Sequence, residues 1–171
     1  GARSSIDSLN KKGFVHVSQE VSKRDPHAED QFIPSKPLTL THPQKDCLER
    51  IIHATNDPVN SKPLLLHGVT GSGKTEVYLQ AIFSVIEKGQ TALVLVPEIS
   101  LTPQTVARFK RRFAHIQDQV AVLHSHLSGG ERFDEWHKIV EGNAKIVIGA
   151  RSALFAPLKK LGLIVVDEEH E

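Results

Sequence analysis

A chain of 171 residues is long enough for one domain of ordinary size and part of a second. Hydrophobic residues at 39% support a buried core, while 24% charged residues and a net charge of +1 give no general pull toward nucleic acid or membrane, so any DNA contact must be local. The single cysteine, Cys47, excludes an internal disulfide framework and a cysteine-rich zinc site. No apolar stretch approaches the roughly 20 residues that cross a bilayer, and "GARSSIDSLNKKGF" at the N-terminus has no signal-peptide core. A cytoplasmic protein without a membrane partner is expected. The sequence holds no methionine and stops at "VVDEEHE", directly after an apolar run and an acidic cluster, which reads as an internal piece of a longer protein.

Residues 1–24 read as a short helix followed by "GFVHVSQEVSKR", whose alternation suits a small hairpin or wing. Residues 25–37 read as a linker, within "DPHAEDQFIPSKPLT", which holds three prolines among charges. From residue 38 to 171 strands and helices alternate. "PLLLH" (63–67) predicts a buried strand. "KTEVYLQAIFSVIEKG" (74–89) predicts a helix with apolar Val77, Ile82, Val85 and Ile86 and a closing glycine. "TALVLV" (91–96) predicts a strand. "LTPQTVARFKRRFA" (101–114) predicts a helix with Thr102 at its N-cap and Pro103 in first position. Then come "QVAVLH" (119–124) as strand, "GERFDEWHKIVEG" (130–142) as helix, "AKIVIGA" (144–150) as strand and "LGLIVVDEE" (161–169) as the last strand. The strands are rich in Val, Ile and Leu without polar alternation, as in a parallel sheet covered by helices on both faces. The fold class is therefore α/β.

Residues 68–75, "GVTGSGKT", match G-x-x-x-x-G-K-[ST] between a predicted strand and a predicted helix. Gly68, Gly71 and Gly73 let the backbone curl, so that N–H groups of the loop (Val69, Thr70 and Ser72 included) and the following helix N-terminus can hold phosphate oxygens. Lys74 would reach the β- and γ-phosphates and the Thr75 hydroxyl would bind Mg²⁺. Asp167 and Glu168 follow "LIVV" at the carboxyl end of a strand, where ligands of parallel sheets collect. An aspartate there can hold Mg²⁺, and the next glutamate can orient and deprotonate a water. The acid pair favours hydrolysis of ATP over transfer to a metabolite. Gln44 leaves two readings open. It stands three residues after Thr41, the spacing of a capping box, and its amide could instead read an adenine edge.

Together, "GVTGSGKTEVY", "VLVPEISLTPQT", "LHSHLSGGER", "IVIGARSALFAPL" and "VVDEEH" resemble, in order and spacing, the primosomal replication-restart DNA helicases of superfamily 2. The resemblance covers most of residues 38–171 and implies the first RecA-like lobe of a P-loop NTPase, with 1–24 similar to the end of a winged-helix domain. It implies an ATP-dependent 3′→5′ DNA helicase acting on single-stranded and forked DNA, with primosome and single-strand-binding proteins as partners. By position it makes Gln44 the adenine reader, Gly68 to Thr75 Walker A, and Asp167, Glu168, Glu169 and His170 a DEAH-type box spelled DEEH. Zinc-binding cysteines and an arginine-bearing second lobe belong to that family, and this sequence contains neither. The resemblance also places Pro97–Gln104, His124–Arg132 and Gly149–Leu154 along the single-strand track.

Residue chemistry alone says less about those track blocks. Thr102, Ser125, Ser128 and Ser152 are small donors suited to phosphate contacts, and equally ordinary cap or turn residues. Arg151 could reach a phosphate or pair with an acid. Lys110, Arg111 and Arg112 close a helix and read as a solvated basic face. His124 and His126 read as structural rather than metallic. Trp136, with Phe133 and Ile139 or Val140, reads as core. Two other function classes stay open: a nucleotide kinase, which would phosphorylate a small acceptor, and a DNA-binding module that never hydrolyses. The chain alone is expected to hydrolyse ATP poorly, because it lacks any arginine finger, a group worth about 10³–10⁵ in rate.

Overall fold

A computed structural model describes residues 2–17 and 33–168. At its centre lie four strands, β1 (Thr91–Leu95), β2 (Val120–Leu123), β3 (Ile146–Gly149) and β4 (Leu161–Val166). Their order is β2-β3-β1-β4, and every pairing is parallel. Leu93 stands between Val147 and Ile164, which fixes the register at the middle of the sheet. Parallel neighbours require crossovers, and helices supply them.

The described helices are α1 (Ala2–Lys11), α2 (His42–Asn56), α3 (Lys74–Glu87), α4 (Pro103–Arg112) and α5 (Gly129–Glu141). Their ends follow local chemistry. Thr102 caps α4 by accepting from the Thr105 N–H, with Pro103 in the first turn. Ser128 and Glu131 form a reciprocal capping box on α5, and Gly142 closes that helix in the left-handed region. None of the described helices is long and apolar enough to cross a membrane.

Successive strand residues face opposite ways, so two cores form. Ala92, Val94, Val96, Ile146 and Ile148 pack with Tyr78, Ile82 and Val85 of α3, with Phe109 of α4 and with Phe113 at its C-cap. Leu93, Ala121, Leu123 and Val147 pack with Ile139 of α5 and with Ala153 on the other face. Each fully buried side chain of this size contributes roughly 1.5–3 kcal/mol. The α/β class with a helix-covered parallel sheet is thus as expected.

Several local expectations change. Residues 63–67 form no strand: residues 61–69 join no ladder among the described residues, and Leu65 is 73% exposed. A strand exists only through a hydrogen-bonded neighbour, and the sheet ends at β4. β1, β2 and β3 are buried on both faces; of the two edge strands, β2 and β4, only β4 leaves large apolar side chains, Ile164 and Val166, exposed. The basic end of α4 is solvated only in part: Arg111 is exposed, and its neighbours are not. Lys110 is only 4% exposed, and the Arg112 side chain is buried against Glu76. Trp136, Phe133 and Val140 line the outer side of α5, while Glu135 and Ile139 turn inward. The buried Glu135 carboxylate accepts the Val122 N–H at 2.7 Å and pairs with Lys138, which sets the rotation of the helix. At the N-terminus the short helix is present as α1. Residues 15–17 form no strand, and most of the expected wing lies outside the described residues.

Candidate active site

Because all four strands are parallel, their carboxyl ends open onto one rim of the sheet. From β1 the chain enters a turn at Glu98–Ser100, from β2 the loop 124–128, from β3 a turn at Arg151–Phe155, and from β4 Asp167 and Glu168. The Asp167 N–H donates to Leu95 O at 2.9 Å, so the acid pair stays fastened to β1.

The phosphate loop precedes α3. Gly71 and Gly73 have φ of 81° and 82°, a region that side chains oppose. A Cβ on Gly73 would meet Gln44 Nε2 at 2.5 Å, and one on Gly68 would meet Ser72 Oγ at 2.6 Å. Ser72 N–H closes the turn onto Val69 O at 3.1 Å, and Val69 and Thr70 are exposed at its tip. Lys74 Nζ donates to Gly68 O at 2.6 Å and Val69 O at 3.1 Å, so the ammonium lies across the loop.

Gln44 engages both sides of its own amide. Its Oε1 accepts the Thr41 N–H at 2.8 Å, completing the capping box of α2, and its Nε2 donates to Ser72 O at 2.9 Å. The cap reading is therefore present, and the same side chain ties α2 to the phosphate loop. One N–H and one lone pair remain for a ligand.

Two hydroxyls unforeseen in the sequence hold the acids. Tyr78 Oη donates to Asp167 Oδ2 at 3.0 Å. Burial, then the Asp167 charge, pushes the Tyr78 phenol well above its ordinary value, so it remains a donor. Ser100 Oγ donates to Glu168 Oε2 at 2.6 Å, and Glu168 itself has a φ of 53°. Tyr78 was findable: it lies one helical turn beyond Thr75, on the same side of α3. Ser100 carries no pattern signal beyond following a strand.

Behind the loop, Glu76 is clamped by Arg112 and Gln80 and accepts the Leu38 N–H at 3.1 Å. Burial raises its carboxyl, but these bonds and the Arg112 charge outweigh that and hold it below the ordinary range.

On the far side of the rim, Glu98 Oε1 accepts the Ser125 N–H at 2.8 Å, and the Arg132 guanidinium donates to Ser125 O at 3.3 Å. The Ser125 hydroxyl and N–H hold the Glu98 carboxyl below its ordinary value. The His124 and His126 rings lie tilted to each other with centroids 5.9 Å apart, and the His126 N–H donates to His124 Nδ1 at 3.2 Å. Thr102 and Ser128 act as helix caps, while Arg151 and Ser152 stand in the turn after β3. Glu169 and His170 lie outside the described residues.

The model of the DEAD/DEAH box helicase family matches residues 41–171. The chain belongs to the DEAD/DEAH box helicases. It is 54% identical over 97% of its length to replication restart protein PriA of Bacillus subtilis (strain 168), covering 20% of that protein. Against the PriA of Synechocystis sp. it is 47% identical over 98% of its length, covering 19% of that protein. Against that of Chlamydia muridarum it is 42% identical over 97%, covering 22%. The chain thus spans about a fifth of the length of the curated relatives it matches. The sheet of this DEAD/DEAH box helicase domain is the parallel core of a RecA-like lobe. The oxygen donors Thr75 and Asp167 fit Mg²⁺: Tyr78, one turn after Thr75 on α3, bonds Asp167 and holds it to the helix that carries Thr75.

Proposed function

We propose that the chain is the ATP-binding lobe of a replication-restart DNA helicase that translocates 3′→5′ on single-stranded DNA and unwinds forks. Residues 38–171 form the lobe, 25–37 the linker, and 1–24 the end of a winged-helix segment. The observation that carries the reading is the bond from the Tyr78 hydroxyl to Asp167, which fastens the end of β4 to α3 one helical turn beyond Thr75 of the phosphate loop. It supports reading the phosphate loop and the acid pair as two halves of one NTP site, from segments 89 residues apart.

In this reading Gly68 to Thr75 cradle the phosphates, with Lys74 leaving its loop carbonyls for phosphate oxygens. Gln44 meets the adenine edge with its remaining donor and acceptor. Magnesium, when bound, neutralises phosphate charge, and Thr75 and Asp167 are the residues that would hold it. Glu168 orients the attacking water and takes its proton. Glu169 and His170 complete the acidic box. Thr102, Ser125, Ser128, Arg151 and Ser152 follow strand ends on the same rim and would touch the DNA backbone without reading sequence. A second lobe supplies the other wall, and primosome and single-strand-binding proteins are the partners. Zinc belongs to other parts of such proteins.

The test is Glu168→Gln in the full-length protein. ATP binding is expected to persist while ATP turnover and fork unwinding fall by about 10² or more. Unaltered unwinding, or a phosphorylated small molecule in place of free phosphate, would overturn the reading.

A further inference from the structure

The turn Glu98–Ser100 touches both ends of the rim. Ser100 holds the Glu168 carboxylate at 2.6 Å, and two residues earlier Glu98 holds the Ser125 N–H at 2.8 Å. The turn is braced by its own hydrogen bonds. The Ser100 N–H donates to Pro97 O at 2.9 Å, and Ser100 O accepts from Thr105 Oγ1 at 2.9 Å, which fastens it to the cap of α4. On the Glu168 side the backbone is held in the left-handed region, at φ 53°, where a residue with a Cβ sits only under constraint.

We propose that Ser100 is a positioning residue that restrains Glu168 until a DNA phosphate displaces the 98–100 turn. The inference rests on the helicase reading above. A water-orienting carboxylate must present an oxygen to the water, and the Ser100 hydroxyl engages one of them. A phosphate arriving at the loop 124–128 would seek the donors that already surround Ser125: its N–H, and Arg132 at 3.3 Å from Ser125 O. His126 Nδ1 also faces this place, 3.9 Å from Glu98 Oε1. Glu98 competes for the same N–H and carries the same sign of charge as the phosphate, so the two cannot share the site. Expelling Glu98 drags the short turn, withdraws Ser100 and frees Glu168. DNA occupancy and water activation are thereby linked through three residues.

The experiment compares ATP turnover of the full-length protein with and without single-stranded DNA. Ser100→Ala is expected to raise the DNA-free kcat by about tenfold, the size of one hydrogen bond to a charged group. The KM for ATP stays in place, and the stimulation by DNA shrinks accordingly. Ser100→Thr, which keeps the hydroxyl, restores the original ratio. Glu98→Ala, which removes the competitor, also lowers the stimulation ratio. If Ser100→Ala leaves DNA-free turnover unchanged or lowers it, or if Glu98→Ala keeps the full ratio, the restraint is overturned. Hydrogen exchange on the unaltered protein gives an arm free of folding effects. DNA without nucleotide should speed exchange of the Ser100 and Leu101 amides, and no change there overturns the relay. Absence of ATP turnover in the unaltered protein would instead overturn the helicase reading itself.

Discussion

Tyr78 performs two jobs with one side chain. Its ring stacks on Phe109 at 6.2 Å within the core, and its hydroxyl reaches Asp167 on the rim. Tyr78→Phe separates them. The ring packing persists, so unfolding free energy should fall by only about 0.5–1.5 kcal/mol, the net worth of one hydrogen bond. ATP turnover of the full-length protein should fall about tenfold and need more Mg²⁺ for half-maximal rate, since Asp167 loses the partner that aims it. A magnesium titration of turnover reads this directly, and an unshifted curve would remove Tyr78 from the site.

Sequence reading at this scale succeeded where chemistry is local and faltered where it is not. Thr102, Pro103 and Ser128 announce helix starts because a cap acts within a single turn. Gln44 could not be decided from sequence, because its second partner, Ser72 O, lies 28 residues away. Arg112 looked solvated because its counter-charge, Glu76, is 36 residues upstream and on another helix.

Between elements, the Glu76–Arg112 pair ties α3 to α4 beside the packing of Tyr78 on Phe109. Both side chains are buried, so removing one partner strands a charge. Glu76→Gln should cost about 3–5 kcal/mol at neutral pH, measured by urea unfolding. The pH dependence has a definite sign. The folded carboxyl lies below the ordinary value of about 4.3, so it adds stability fully above that value. The contribution is lost as pH falls through the depressed folded value. Glu76→Gln should therefore flatten the acid limb of the stability curve below about pH 4.3, and an unchanged limb would exclude Glu76 as its source.

Helix α5 illustrates why the inward face of an element was harder to read than its existence. Apolar residues at 133, 136 and 140 and at 139 allow more than one rotation. The bond from Val122 N–H to the buried Glu135 carboxylate selects the face, and a carboxylate is the residue least expected to point inward. Strands β1 to β3 were plain because burial on both faces demands unbroken Val, Ile and Leu. The 63–67 segment carries three successive leucines and no partner ladder, and apolar composition alone cannot supply one.

Across the molecule, large apolar side chains are exposed on the β4 edge and on the segment before the phosphate loop. Leu64, Leu65, Ile164 and Val166 are all exposed, and β4 is an edge strand. Such an edge invites pairing with another chain. Expressed by itself, this chain should self-associate as its concentration rises, in a manner read by sedimentation or light scattering. Ile164→Lys should reduce that association, because an edge lysine must be desolvated for two sheets to join. Equal association in the variant would show that another surface is responsible.

The parallel order of the strands also divides the protein into a working rim and an idle one. The connections at the amino ends of the strands, around Gly89, Asn143 and Lys159, are exposed and carry none of the contacts that hold the nucleotide loop, the acid pair or the 98–100 turn. Those tips can change length and composition while the opposite rim keeps its geometry, so they are the natural attachment points for a reporter or tether.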